Sequence, residues 1–163
     1  MVLGDLTKPE SFEPGRLPAF DMIMCNQVFE HVVEPFAAAR TLHRLLKPGG
    51  LVFWSAPFLE RNHFRHADFF RYTVDGAKAL FLRAGFEILV VAKVGDSFTT
   101  TGYLMGYGAG DVDSNYTASN VASILRDANE GDCEDPQQWN YMGVNLVARK
   151  PAQVAIKTIS YRV

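Results

Sequence analysis

Two short apolar runs with one amphipathic segment between them constrain the fold of this chain most strongly. Residues 20–25 (FDMIMC) form the first run and residues 51–54 (LVFW) form the second, which follows Gly49-Gly50. Short apolar runs without strict alternation are typical of strands that are buried on both faces of a parallel sheet. We therefore predict two parallel strands in the buried part of an α/β fold.

The segment between the two runs has helical periodicity. Starting at Val32, apolar residues recur on one face at Phe36, Ala39 and Leu46, and Pro48 then ends the pattern. The spacing predicts a helix over residues 35–46. Strand, helix and strand together form a βαβ unit, whose crossover is expected to be right-handed.

A second unit with the same order of elements follows the first. Thr73 is placed to cap a helix over residues 74–84, and Gly85 suits the position after its last turn. Residues 86–92 read as a strand, and residues 144–149 alternate as a last strand. The pattern predicts a doubly wound α/β fold with a mostly parallel sheet.

Residues 95–140 break this rhythm. The stretch is rich in Gly, Thr, Tyr, Asn and Asp, and it contains one segment with helical character, residues 118–128. We expect a single domain over residues 1–163 with an insertion at about 95–140 between the last two strands. An insertion of this length is typical either of a substrate-covering element or of a mobile loop.

Composition excludes several classes of protein. Sixteen basic and eighteen acidic residues give a net charge of −2, without the basic stripe that nucleic acids require. The longest purely apolar run, residues 88–92, is far too short to cross a membrane. Cys25 and Cys133 are far apart, which indicates neither a disulfide framework nor a zinc motif. A soluble, cytoplasmic protein is expected.

The motifs in the first half of the chain resemble one known family. Residues 20–32 (FDMIMCNQVFEHV), followed by residues 46–50 (LKPGG), closely resemble the class I S-adenosylmethionine-dependent methyltransferases of the type 11 kind. Residues 66–73 (HADFFRYT) and 84–86 (AGF) look like those of one subgroup. The resemblance implies a Rossmann-like sheet, S-adenosylmethionine as the cofactor and methyl transfer to a small-molecule acceptor.

Two parts of the family pattern have no counterpart in this sequence. The family has a glycine-rich loop after its first strand and an acidic residue after its second, which bind the cofactor. Gly4-Asp5-Leu6 looks like the segment after the third strand. We therefore expect an N-terminally truncated sheet whose first two strands are missing. Closure of the remaining strands, a second chain that completes the sheet, or an incomplete gene product would each account for this.

Six residues are candidates for cofactor binding. The resemblance assigns Gly4, Asp5 and Leu6, with the Asp5 carboxylate facing the adenine; the alternative is a solvated turn. Ligands of open α/β sheets bind at the carboxyl ends of strands. The end of the first strand therefore supplies three further candidates, Asn26, Gln27 and Val28. The alternative is that these residues only form a helix-capping turn.

The acceptor side of the site is predicted from two segments. His31 is the candidate catalytic base, because imidazole accepts protons near neutral pH, and the alternative is that it only orients a loop. His63 and His66 lie three residues apart without a third ligand at suitable spacing, so no metal site is expected. The stretch after the second strand supplies the predicted substrate-binding residues: His63, His66, Asp68, Arg71 and Tyr72. An ion pair between Asp68 and Arg71 is the alternative for these two.

These observations leave three hypotheses about function. The first is methyl transfer from S-adenosylmethionine to a small molecule. The second is a non-catalytic remnant or partner subunit that binds no cofactor, which the missing glycine-rich loop favours. The third is a nucleotide-dependent oxidoreductase, which does not explain the order of the EHV and LKPGG motifs.

Overall fold

The computed structural model describes residues 4–12, 19–63, 67–107 and 141–152. His66, residues 2–3 and the helix predicted at 118–128 lie outside this part of the chain. The described part contains three α-helices and four strands: β1 (Phe20–Asn26), α1 (Pro35–Leu45), β2 (Leu46–Pro57), α2 (Val74–Arg83), β3 (Glu87–Val94), α3 (Ser97–Leu104) and β4 (Gly143–Arg149).

The four strands form one open sheet in the order β1-β2-β4-β3. β1 pairs in parallel with β2, whereas β4 is antiparallel to both of its neighbours. β1, β2 and β3 therefore run in the same direction, and β4 lies between two of them in the opposite direction. The predicted α/β class with a mostly parallel sheet is confirmed. Because β1 and β2 are parallel, their carboxyl ends lie side by side at one end of the sheet.

The second strand begins before the predicted run of residues 51–54 and includes the LKPGG motif. The helix ends at Leu45, and β2 begins directly at Leu46. The motif forms a bulge, because Phe20 pairs with Leu46 whereas Met22 already pairs with Leu51. Gly49 has a φ of +82°, and its N–H donates to the Lys150 carbonyl oxygen at 2.8 Å. The glycine permits a backbone conformation that lets the strand continue through the extra residues.

The predicted boundaries of α2 are confirmed. The Thr73 hydroxyl oxygen caps its first turn by accepting a backbone N–H at 3.0 Å. At the other end Gly85 has a φ of +93°, and the Phe86 N–H donates to the Phe81 carbonyl oxygen at 3.1 Å. This pattern is a Schellman ending, which places β3 immediately after the helix.

The core lies between the sheet and the two helices α1 and α2. Trp54 of β2 is its central side chain and is fully buried. Its ring packs edge-on against Phe29 at 5.7 Å and against Phe81 at 5.4 Å between centroids. Edge-to-face packing at these distances stabilises the core beyond burial alone, and it joins β2 to α2 and to the segment that follows β1.

The opposite face of the sheet is apolar but exposed. Met22 and Met24 of β1 are 54% and 67% exposed, and Phe53 of β2 lies beside Met24 in the register. Within the described ranges no helix covers these side chains. An apolar sheet face of this kind is typical of a surface that another element or chain covers.

α3 was not predicted from the sequence. It begins after Asp96, whose carboxylate accepts the Thr99 N–H at 2.9 Å, while the Thr99 hydroxyl oxygen accepts the Asp96 N–H at 3.2 Å. The spacing of these two residues was the available signal, because it forms a reciprocal capping box. No helix in the described part of the chain is long and apolar enough to span a membrane.

Candidate functional site

A residue with a strained backbone conformation follows the carboxyl end of β1. Gln27 is a non-glycine residue with a φ of +52°, a conformation that costs about 1–3 kcal/mol and that is concentrated at functional sites. Two hydrogen bonds to Ser55 of β2 hold it there, from its N–H to the carbonyl oxygen at 3.0 Å and from Nε2 to Oγ at 3.1 Å. Asn26 beside it is exposed, and Val28 is half-buried. The three predicted residues thus lie together at this end of the sheet.

The 3-10 turn Phe29–His31 follows directly and binds the loop that leads into α2. The Phe69 N–H donates to the Glu30 carbonyl oxygen at 2.7 Å. The His31 Nδ1 lies 2.5 Å from the Ala67 carbonyl oxygen. Two segments that are separated by about 36 residues in the chain are therefore joined by backbone hydrogen bonds and one imidazole.

Tyr72 reinforces this junction from the core side. Its side chain is buried, and its hydroxyl donates to the Phe29 carbonyl oxygen at 3.1 Å. Burial, together with the charge of Glu30, raises the pKa of Tyr72, so the phenol stays protonated as a donor. The predicted substrate-binding Tyr72 is thus placed in a structural hydrogen bond beneath the site.

Asp68 and Arg71 form the ion pair that was the alternative to substrate contact. Arg71 donates from Nη1 to Oδ1 and from Nη2 to Oδ2, the latter at 2.7 Å. The hydrogen bonds from Arg71 are the main cause that lowers the pKa of Asp68 to about 2, and the Asp68 side chain is only 2% exposed. The guanidinium also donates to the Arg61 carbonyl oxygen at 3.2 Å, so the pair braces the whole loop.

α3 lies against the same loop. The Tyr103 hydroxyl donates to the Glu60 carboxylate, and the Arg61 guanidinium lies over the Tyr103 ring at 4.6 Å from its centroid. The first part of the predicted insertion therefore contacts the rim on which the acceptor was expected.

Glu30, His31 and His63 come together at this rim. One potential ligand atom from each lies within 4.8 Å of the others. The sequence predicts His63 as a substrate-binding residue and no metal site, and it assigns no role to Glu30. The sequence positions of Glu30 and His31 do not predict this cluster, because His63 lies in the loop after β2.

Cys25 is not a candidate nucleophile. Its thiol is buried at the end of β1, and burial, together with the charge of Glu30, raises its pKa to about 12. The thiolate required for nucleophilic attack is therefore not formed near neutral pH.

The N-terminal candidates form an exposed turn. The Asp5 carboxylate accepts the Thr7 N–H at 2.9 Å and the Thr7 hydroxyl at 2.8 Å, and these hydrogen bonds lower its pKa. At Gly4 a Cβ would lie 2.5 Å from the Phe12 ring, so a larger residue there would displace that ring. Leu6 packs against the core. Asp5 is thus ionised and can accept hydrogen bonds from a ligand.

Comparison with known proteins agrees with this architecture. Residues 5–91 match the family model described as methyltransferase domain, and this match covers more than half of the chain. A ubiquinone biosynthesis O-methyltransferase from Pseudomonas paraeruginosa is 50% identical over 49 residues, which are 30% of this chain and 19% of that protein. The aligned part thus covers about a fifth of the curated relative.

Two solved structures share the fold. One is a chain from the Haloferax volcanii complex between the methyltransferase activator Trm112 and a methyltransferase, with a TM-score of 0.55, 15% identity and coverage of 93% of this chain and 60% of that chain. The other is Haemonchus contortus phosphoethanolamine N-methyltransferase 2 in complex with S-adenosyl-L-methionine. It has a TM-score of 0.53 and 14% identity, and the match covers 90% of this chain and 36% of that chain.

The chain belongs to the methyltransferase domain family. Its sheet is the Rossmann-like sheet of class I methyltransferases, as the resemblance implied. Within the part of the chain that the structure describes, no strand leads into a G-x-G turn at the start of a helix.

Proposed function

We propose that this chain takes part in methyl transfer from S-adenosylmethionine to a small-molecule hydroxyl acceptor. The observation that carries the proposal is the strained Gln27 beside exposed Asn26, at the carboxyl ends of two parallel strands. Ligands of open α/β sheets bind at this position. The O-methyltransferase relatives support an oxygen rather than a nitrogen acceptor.

The residues present fit the adenosine part of the cofactor. Asp5 offers an ionised carboxylate to the adenine amino group, and the side-chain amides of Asn26 and Gln27 offer both donors and acceptors. Gly4, Leu6 and Val28 would shape the surrounding surface. When bound, the cofactor supplies an electrophilic methyl group on a sulfonium sulfur.

The acceptor would bind between the loop of residues 58–72 and α3. His31 is the candidate to accept the proton of the acceptor hydroxyl. His63, Asp68 and Arg71 shape the loop beside it. Transfer from a sulfonium depends mainly on the alignment of nucleophile, methyl group and sulfur. The loop that Arg71 braces is suited to provide this alignment.

Hydrogen–deuterium exchange with S-adenosylhomocysteine tests the location of the cofactor. Binding should slow exchange in peptides that cover residues 20–31, with little change in α2, which lies in the core away from these strand ends. Unchanged exchange in residues 20–31 at saturating ligand would count against the proposal. Protection confined to other segments would do the same.

A second candidate function is that of a partner subunit in a methyltransferase complex. The exposed apolar face with Met22, Met24 and Phe53 favours it, because a chain that supplies further strands and helices would cover this face. The similarity to a chain from a complex between an activator and a methyltransferase is consistent with such an assembly. Ligand-independent association through β1, without binding of S-adenosylhomocysteine, is the result that would favour this candidate.

A further inference from the structure

Glu30 has an unusual environment for an acidic residue. Its side chain is completely buried, and neither carboxylate oxygen accepts a hydrogen bond from any described residue. A buried carboxylate without hydrogen bonds is costly, and a bound cation is one of the partners that can offset this cost. The His31 Nε2 lies 3.7 Å from its Oε1.

The hydrogen bonds of the two histidines set their tautomers. The His31 Nδ1 faces the Ala67 carbonyl oxygen at 2.5 Å, and the His63 Nδ1 faces the Arg61 carbonyl oxygen at 3.2 Å. A carbonyl oxygen only accepts hydrogen bonds, so each Nδ1 carries the hydrogen. In the neutral ring, the lone pair is then on Nε2 in both residues. A backbone carbonyl on the second ring nitrogen is the usual outer partner of metal-ligating histidines.

From these contacts we propose that Glu30, His31 and His63 bind a divalent transition-metal ion of the zinc class. Two imidazoles and one carboxylate are a known ligand set for zinc that leaves a coordination position open. Ligand atoms around a tetrahedral zinc ion lie about 3.3 Å apart, whereas here they lie within 4.8 Å of one another. The required shift is at most about 1.5 Å, and the exposed side chain of His63 can make it by rotation.

The position of the cluster indicates which ligand completes the site. Glu30 and His31 directly follow the strand end at which the cofactor is proposed to bind, and His63 lies on the loop proposed for the acceptor. The open position would accept an oxygen ligand, such as the hydroxyl of the acceptor. In the metal-bound protein, His31 is then a ligand and the ion takes over activation of the hydroxyl.

Metal binding does not depend on methyl transfer, so the two proposals fail separately. The full-length chain is stripped with a chelator and titrated with ZnCl₂ by calorimetry and with CoCl₂ by visible absorption, without any cofactor. We expect one equivalent to bind, with the visible bands of a low-coordinate cobalt site. Zinc should displace the cobalt.

Two variants and one control test the ligands. His63→Ala removes an exposed side chain and should leave the fold intact, and Glu30→Gln keeps the shape of the buried residue. Each should weaken zinc binding at least about tenfold, since loss of even an outer partner weakens metal binding by about 10–100-fold. His43→Gln, in the last turn of α1 beside Phe86, is the matched control and should leave binding unchanged.

Either of two results would overturn the assignment. One is the absence of stoichiometric zinc and cobalt binding by the wild-type chain. The other is a zinc affinity in His63→Ala that equals that of the wild type and of His43→Gln, which would place the bound ion elsewhere.

Discussion

The hydroxyl of Tyr72 donates to the carbonyl oxygen of Phe29 at 3.1 Å, inside the core and across 43 positions of the chain. This bond fixes the loop before α2 to the turn after β1, and it does so below the surface on which the candidate site residues lie. The site is therefore built on a junction of two segments, each of which belongs to a different motif of the family resemblance.

Tyr72→Phe tests the strength of this junction. The change removes only the hydroxyl, and the Phe29 carbonyl oxygen keeps the Val32 N–H as a donor at 3.2 Å. The expected cost is therefore that of one hydrogen bond, about 0.5–1.5 kcal/mol. We expect the free energy of unfolding, measured by urea denaturation, to fall by that amount. The control is Tyr107→Phe at an exposed residue, where we expect a change within about 0.5 kcal/mol. Equal effects of the two changes would show that the junction contributes nothing specific.

The Asp68–Arg71 pair predicts a pH dependence of stability. The pKa of Asp68 is lowered from 3.8 to about 2 in the folded chain, chiefly by hydrogen bonds from Arg71. The ionised carboxylate therefore stabilises the folded state above about pH 4, and this contribution is lost as the pH falls towards about 2. Asp68→Asn should lower the free energy of unfolding by about 1–2 kcal/mol near pH 6 and by much less at about pH 2.5.

Urea denaturation of both proteins at the two pH values measures this difference. Asp75→Asn, at an exposed position in the first turn of α2, is the control, with an expected change of about 0.5 kcal/mol or less. A difference between wild type and Asp68→Asn that is the same at both pH values would contradict the assignment of the stabilisation to the ionised pair.

The uncovered face of β1 predicts self-association or capture of a partner. Met24 is 67% exposed at the edge of the sheet, and exposed apolar sheet edges tend to pair with other chains. In sedimentation velocity, the Met24→Lys variant should contain a larger fraction of monomer than the wild type, because a lysine at this position opposes pairing with another chain. Leu82→Lys, at an exposed apolar residue of α2, should leave the association state unchanged. If both changes have the same effect, the association does not run through β1.

Most of the secondary structure could be predicted from local sequence patterns, because the interactions that start and end these elements join residues close together in the chain. The cap at Thr73 and the glycine at Gly85 set the ends of α2 through hydrogen bonds within one turn of the helix. The second strand is predicted only from residue 51, because the bulge at the LKPGG motif involves a backbone hydrogen bond to Lys150, about a hundred residues away. The start of α3 was missed although the capping pair Asp96 and Thr99 was visible in the sequence.

The candidate site was predictable only in part for the same reason. The end of β1 at Asn26 and Gln27 follows from the strand pattern and from the general location of ligand sites in such sheets. Nothing in the sequence places Glu30 in a buried position beside His63, since that contact needs the register of the loop after β2. The ion pair of Asp68 and Arg71 could be proposed from spacing, but its burial could not.

Calorimetric titration of the full-length chain with S-adenosylhomocysteine tests the central claim most directly. We expect a saturable, one-to-one heat for the wild type and for Asp75→Asn, an exposed position in α2. Asn26→Ala should weaken binding at least about tenfold, which corresponds to about 1.4 kcal/mol. No saturable heat at millimolar ligand, or an affinity that Asn26→Ala leaves unchanged, would contradict a cofactor site at the carboxyl ends of β1 and β2.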